Sequence, residues 1–143
     1  ESKLLTNPAD DHSKMLFGRI LRKPGDHALS VMAEMSENDR PFIRLNIPLR
    51  PGGVEPADVS MYKGIRFDAR GEGAYKLIGV NRTVRNRPTA EAMFEAGGKW
   101  KSVKIPFDRV PNWSGSDLLM LEFEAARPAG TKAWLELDNV RFY

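Results

Sequence analysis

MYKGIRFDARGEGAYKLIGVNRTVRNRPTAEAMFEAGGKWKSVKIPF, residues 61–107, is the stretch whose reading decides the fold. Period-two alternation recurs in GIRFDAR, AYKLIGV and AEAMFEA, and glycines 71, 73, 97 and 98 stand between these segments. That is the pattern of short, half-buried strands cut by turns. Gly71-Glu72-Gly73 predicts a tight hairpin joining Ile65 and Phe67 to Tyr75 and Leu77, because glycine takes positive φ without a Cβ clash. The strand around Val103 and Ile105 is expected to end at Pro106, which has no N–H to give to a central ladder.

The same alternation extends outward in both directions. Residues 15–22 (MLFGRILR) predict a first strand with Leu16 and Ile20 on one face, Phe17 and Leu21 on the other. After the Lys23-Pro24-Gly25-Asp26 turn, Leu29, Val31, Ala33 and Met35 point one way. Ile43, Leu45, Ile47 and Leu49 then mark a core side, opposite Phe42, Arg44, Asn46 and Pro48. The Pro/Gly-rich connector at residues 50–56 is expected to cross between sheets. Beyond residue 107, Leu119, Leu121 and Phe123 alternate with Met120, Glu122 and Glu124. Ala133, Leu135 and Leu137 alternate with Trp134, Glu136 and Asp138, and a change of parity at Val140 predicts a bulge near Asp138 and Asn139. Eight or nine strands, with no amphipathic stretch long enough for a crossover helix, predict an all-β sandwich. Residues 1–14, polar and carrying Pro8, are expected to be an irregular arm, with residues 15–143 forming a single β-sandwich domain.

A length of 143 residues with 41% hydrophobic and 29% charged content suits one core. The net charge of +3 comes from 22 basic residues interleaved with 19 acidic ones, which reads as a mixed solvated surface and not as a nucleic-acid footprint. The absence of cysteine excludes a disulfide framework and a cysteine zinc site. No apolar run has the length of about 20 residues that a membrane helix needs, so no membrane insertion is expected. The chain starts at Glu1 without an initiator methionine, which suggests a processed form or a piece of a larger protein.

No catalytic signature is present. The two histidines, His12 and His27, have no motif partner, and no nucleophile elbow, phosphate loop or HExxH motif occurs. Glu122, Glu124, Glu136 and Asp138 share a parity that could gather them on one face, or leave them paired with Arg66, Arg70 or Lys104 on neighbouring strands. Binding chemistry is easier to place. A flat ring can stack on the apolar face of a sugar while nearby polar side chains read its hydroxyls. Trp113, in a loop beside Asn112, is the first candidate, and Trp134, opposite in parity to Leu135 and Leu137, is the second. Arg82, Arg85 and Arg87 sit in one polar loop that could meet an acidic sugar or an acidic partner. Asn81-Arg82-Thr83 and Asn112-Trp113-Ser114 fit the glycosylation acceptor pattern.

Three segments carry a family likeness: Gly71-x-Gly73-x-Tyr75, then Trp100-x-x-Val103-x-Ile105-Pro106-Phe107, then Leu135-x-Leu137-Asp138-Asn139-Val140. In this order they resemble the complex I intermediate-associated proteins, within the galactose-binding-domain-like β-sandwiches. The likeness covers residues 61–143 and departs from the family near the start of the chain, where no Gly-rich GG-x-S segment occurs. It implies a jelly-roll sandwich without enzymatic activity, serving as an assembly factor or as an accessory module on a secreted hydrolase, hence extracellular or periplasmic. Similarity of the closing strand to carbohydrate-binding modules implies a structural calcium beside Asp138; no other cofactor is expected. The expected function is a non-catalytic module whose partner is a glycan, with Trp113, Trp134 and the Arg82/Arg85/Arg87 loop facing a shared groove. A protein-interaction or assembly-factor domain of the complex I intermediate-associated type is the alternative.

Overall fold

A computed structural model describes residues 3–6, 14–37, 40–83 and 89–143 of the chain. Ten strands are seen among them: β1 (Lys3–Thr6), β2 (Lys14–Lys23), β3 (Asp26–Glu34), β4 (Phe42–Pro48), β5 (Gly64–Gly71), β6 (Gly73–Asn81), β7 (Ala90–Ala96), β8 (Lys101–Pro106), β9 (Leu118–Ala126) and β10 (Lys132–Phe142). They form two five-stranded antiparallel sheets, ordered β1-β4-β9-β6-β7 and β2-β3-β10-β5-β8. The result is an all-β sandwich, as the alternation predicts, of the jelly-roll kind that the family resemblance implies.

Parity fixes which side of each sheet faces inward. Ile43 and Leu45 of β4, Leu121 and Phe123 of β9, and Tyr75 and Leu77 of β6 are buried from the first sheet. Val31 and Ala33 of β3, Ile65 and Phe67 of β5, and Leu135 and Leu137 of β10 meet them from the second. The centre of the core is a ring cluster. Phe67 lies edge-on to Phe94 at 5.0 Å and to Phe123 at 5.2 Å, while Tyr75 stacks on Phe94 at 5.5 Å. Edge-to-face contacts of this kind add to the apolar area that such rings remove from water.

The structure differs from the sequence reading at three places. First, Gly71-Glu72-Gly73 is not a hairpin: β5 belongs to the second sheet and β6 to the first, so this turn carries the chain across the core. The crossing is fixed by Tyr75, whose hydroxyl donates to the Trp134 carbonyl at 2.5 Å and accepts from the Glu72 N–H at 2.8 Å. Gly73 has a φ of 95°, a conformation that favours glycine. Second, the arm expected to be irregular contains β1, whose backbone pairs with β4 from Lys3↔Asn46 to Thr6↔Ile43. Four residues are too few for alternation to register, and the open edge of β4 supplies their partners. Third, ten strands replace the expected eight or nine. The connector at residues 50–56 does cross between sheets, β8 ends at Pro106, and the register of β10 against β5 shifts between Asp138 and Arg141, as the sequence predicts.

Truncating Phe67 to alanine should cost about 3–5 kcal/mol, because the cavity lies where both sheets meet and cannot collapse. Tyr75→Phe should cost about 1–2 kcal/mol by leaving the Trp134 carbonyl and the Glu72 N–H without their partner. Urea unfolding with an unchanged m-value checks both; a Phe67→Ala protein as stable as wild type would contradict the central role of the ring cluster.

Candidate ligand-binding face

Residues of outward parity on the first sheet line up in rows across four strands. One row is Arg44 of β4, Glu124 of β9, Lys76 of β6 and Met93 of β7. The next is Asn46, Glu122, Ile78 and Glu91. Outward positions on a sandwich normally reach water, yet Asn46 and Glu122 are only 7% exposed and Glu124 only 8%. The face is therefore partly enclosed, and polar groups held away from water need partners.

Only some of them have partners. Glu124 is satisfied: Arg44 Nε donates to its Oε1 at 2.7 Å, and Lys76 Nζ lies 3.6 Å from its Oε2. Lys76 also reaches Glu91 at 3.3 Å. Among the described residues Glu122 has only a long contact, 3.7 Å, with Arg44 Nη1. Burial pushes the Glu122 carboxyl above the usual carboxylate range, and the neighbouring Glu124 adds to the rise against the pull of Arg44. Directly opposite Glu122 in register, the buried Asn46 Oδ1 has no hydrogen-bond partner among the described residues. The middle of this face thus presents two under-used acceptors side by side, with a guanidinium and an ammonium as donors next to them.

The outward face of the second sheet has another character. Arg70 Nε donates to Glu136 Oε2 at 2.6 Å, and its guanidinium lies 5.5 Å from the Trp100 ring centre and 5.6 Å from that of Trp134. Arg22 sits 4.3 Å over Trp100 and bridges two acids, Asp68 at 2.7 Å and Asp138 at 2.9 Å. Burial works against the charge on Asp68 and Asp138, but the hydrogen bonds from Arg22, with Asn139 assisting at each, hold both carboxyls below the usual range. Beside these groups, Leu16, Met32 and Trp134 fall in one row, with Leu16 76% and Met32 61% exposed.

Among the described residues, the candidates Trp113, Trp134 and Arg82 therefore do not share a groove. Trp134 lies on the outward side of the second sheet. Trp113 stacks on Phe107 at 3.8 Å and packs against the core beside Gly79, where an added Cβ would sit 2.8 Å from the indole. Arg82 is exposed just past β6, with its loop pinned by Asp117, which accepts from the Asn81 side chain at 2.9 Å and the Thr83 N–H at 3.0 Å. Arg85 and Arg87 lie outside the described residues. Glu122 and Glu124 face outward from one sheet, Glu136 and Asp138 from the other, so the four acids do not gather. Glu136 pairs with Arg70, as the alternative reading expected. Asn81, with its amide given to the Ser114 carbonyl and to Asp117, is not free as a glycosylation acceptor.

Asp138 does not fit calcium. That ion needs six to eight oxygens, whereas Asp138 Oδ2 faces Arg22 and its Oδ1 accepts the Asn139 N–H at 2.8 Å, closing the bulge. Among the described residues no group of three or more His, Cys, Asp or Glu side chains could hold a metal.

The residues missed from sequence were Asn46, Arg44 and Lys76. Their outward parity was readable in the alternation of β4 and β6, but polar residues at outward positions normally signal a wet surface. The partial enclosure of this face is a tertiary property that no local pattern records.

No protein-family model matches the chain, and no curated protein sequence does. Solved structures do. The family 11 carbohydrate-binding module from Clostridium thermocellum, in complex with a β-1,3-1,4-mixed-linked tetrasaccharide, superposes with a TM-score of 0.70 at 14% identity, over 99% of this chain and 87% of that one. The family 30 carbohydrate-binding module of a cellulosomal cellulase of the same organism gives 0.68 at 16%, over 89% and 81%. An exo-β-agarase gives 0.63 at 13%, over 99% of this chain but 23% of the agarase. At these identities the likeness is one of fold. It agrees with the galactose-binding-like sandwich expected from sequence, while nothing in it speaks for the complex I intermediate-associated family.

Because folding raises the Glu122 pKa, its contribution to stability is fully present below the ordinary value of 4.5 and is lost as pH rises through the folded value. Glu122→Gln should therefore raise the melting temperature at about pH 7, with the gain shrinking toward about pH 4. Asp68 and Asp138 have the opposite sign: their contribution is present above the ordinary value and lost as pH falls through the lowered one. Melting curves of Glu122→Gln and wild type across this range check the first; a gain that grows on acidification would contradict it.

Proposed function

We propose that the chain is a non-catalytic carbohydrate-binding module, an accessory domain of a larger or secreted protein, which holds a glycan on the outward face of its first sheet. The observation that carries this reading is the under-satisfied pair at the middle of that face, Asn46 Oδ1 and the Glu122 carboxylate, buried yet pointing away from the core. Adjacent hydroxyls of a sugar can donate to these two acceptors, while Arg44 and Lys76 donate to ring and hydroxyl oxygens. Met93, 63% exposed, supplies apolar contact for the C–H face of the ring. Such groups bind and orient; they lack the arrangement of acid, base and nucleophile that bond cleavage needs. The fold likeness to modules solved from cellulosomal enzymes supports the same reading.

A second reading, a protein-interaction or assembly domain of the complex I intermediate-associated type, is favoured by the exposed row of Leu16, Met32 and Trp134 on the other sheet. The two readings use opposite faces, so variants separate them.

Soluble β-1,3-1,4-glucan included in a native gel should retard the protein. Asn46→Ala and Glu122→Gln should each weaken retardation by about tenfold, the effect of losing one well-placed hydrogen bond, with neither lowering the melting temperature. Met32→Ala should leave it unchanged. Absence of retardation by this glucan and by a panel of other neutral polysaccharides, together with a stoichiometric protein complex lost in Met32→Ala, would replace the first reading by the second.

A further inference from the structure

A cavity of about 340 Å³ opens at one end of the sandwich, between β3 and β10 of one sheet and β4 of the other. Its floor is Leu29, Ile47, Leu137 and Val140, and its rim carries Arg19, His27, Asp138 and Asn139. The rim is unusual for its parity. His27 continues the inward series that places Leu29, Val31, Ala33 and Met35 against the core, and Arg19 stands directly opposite Leu29 in register. Leu21, opposite His27, is 64% exposed although it too has inward parity. At this level, then, the sheets diverge and the inward positions of β2 and β3 border an open mouth.

Arg19 and His27 are both exposed at this mouth, so their N–H donors stand beside the apolar floor within reach of a ligand. Neither Arg19 nor His27 has a hydrogen-bond or ion-pair partner among the described residues. The Asp138 carboxylate across the mouth does not serve: its oxygens are taken by Arg22 and by the Asn139 N–H. We propose that this cavity binds a small carboxylate bearing an apolar ring or chain, its anionic head set between Arg19 and His27 and its body on Leu29, Ile47, Leu137 and Val140. The fork of Arg19 suits a carboxylate because two parallel N–H donors match its two oxygens. The volume lies at the lower end of the range for small-molecule sites, about 300–1,000 Å³, which limits the ligand to roughly one ring with its head group. This site lies outside the face assigned to the glycan and stands or falls independently of it.

Sodium benzoate serves as the probe, with sodium chloride matched for ionic strength and benzyl alcohol as its neutral counterpart. Titration of the intact protein, followed through backbone amide resonances, should give saturable shifts centred on Leu29, Ile47, Leu137 and Val140. Benzyl alcohol should bind about tenfold more weakly, and Arg19→Ala should weaken benzoate by a similar factor while Arg19→Lys recovers part of it. Ile47→Trp, which fills the mouth, should abolish the shifts, and Arg19→Ala should leave retardation by β-1,3-1,4-glucan unchanged. Shifts that never saturate, benzyl alcohol binding as well as benzoate, or Arg19→Ala binding benzoate like wild type would each overturn the proposal. In the last two cases Arg19 would be an inward charge that merely guards the edge strand β2 against pairing with another sheet.

Discussion

Two sheets stay face to face here because four rings lock at the centre. Phe67 from the second sheet is wedged edge-on between Phe94 and Phe123 of the first, and Tyr75 both stacks in the cluster and hands its hydroxyl to the opposite sheet. This contact fixes the inward side of β5, β6, β7, β9 and β10 together, since slipping any strand by one residue would turn its apolar set to water. Once those inward sides are set, so is every outward row. The under-satisfied pair of Asn46 and Glu122 exists because Leu45 and Phe123 are held on the other side of the same strands.

The outward rows divide by chemistry. The first sheet carries a lattice of acids and bases in which Glu124 is paired twice and Glu122 scarcely at all. The second carries guanidinium groups beside indoles, with Arg22 and Arg70 each already paired with an acid. A ligand rich in hydroxyls gains most on the first, where acceptors are short of donors. An apolar surface gains most on the second, along Leu16 and Met32.

Most of the fold was legible in the chain, since β3, β4, β9 and β10 alternate cleanly and their core sides are those read from sequence. The hairpin at Gly71 failed for an instructive reason. Two alternating segments joined by glycines look the same whether they pair with each other or face each other across a core, and only the partner strands, far away in sequence, decide which. The site was less legible. Tryptophans attract attention because they can stack on sugars, but the Trp113 ring is spent on Phe107 and the core, and that burial depends on a loop whose path has no local signature. Conversely, Asn46 is an ordinary polar residue in an outward slot until its neighbours withdraw it from water.

Arg22 has a consequence for where the molecule can work. A covalently attached cation clamps Asp68 and Asp138, and with them β2, β5 and β10. A clamp of this kind cannot be leached away or sequestered by competing polyanions. At this corner the tie between three strands is made by the chain's own side chains.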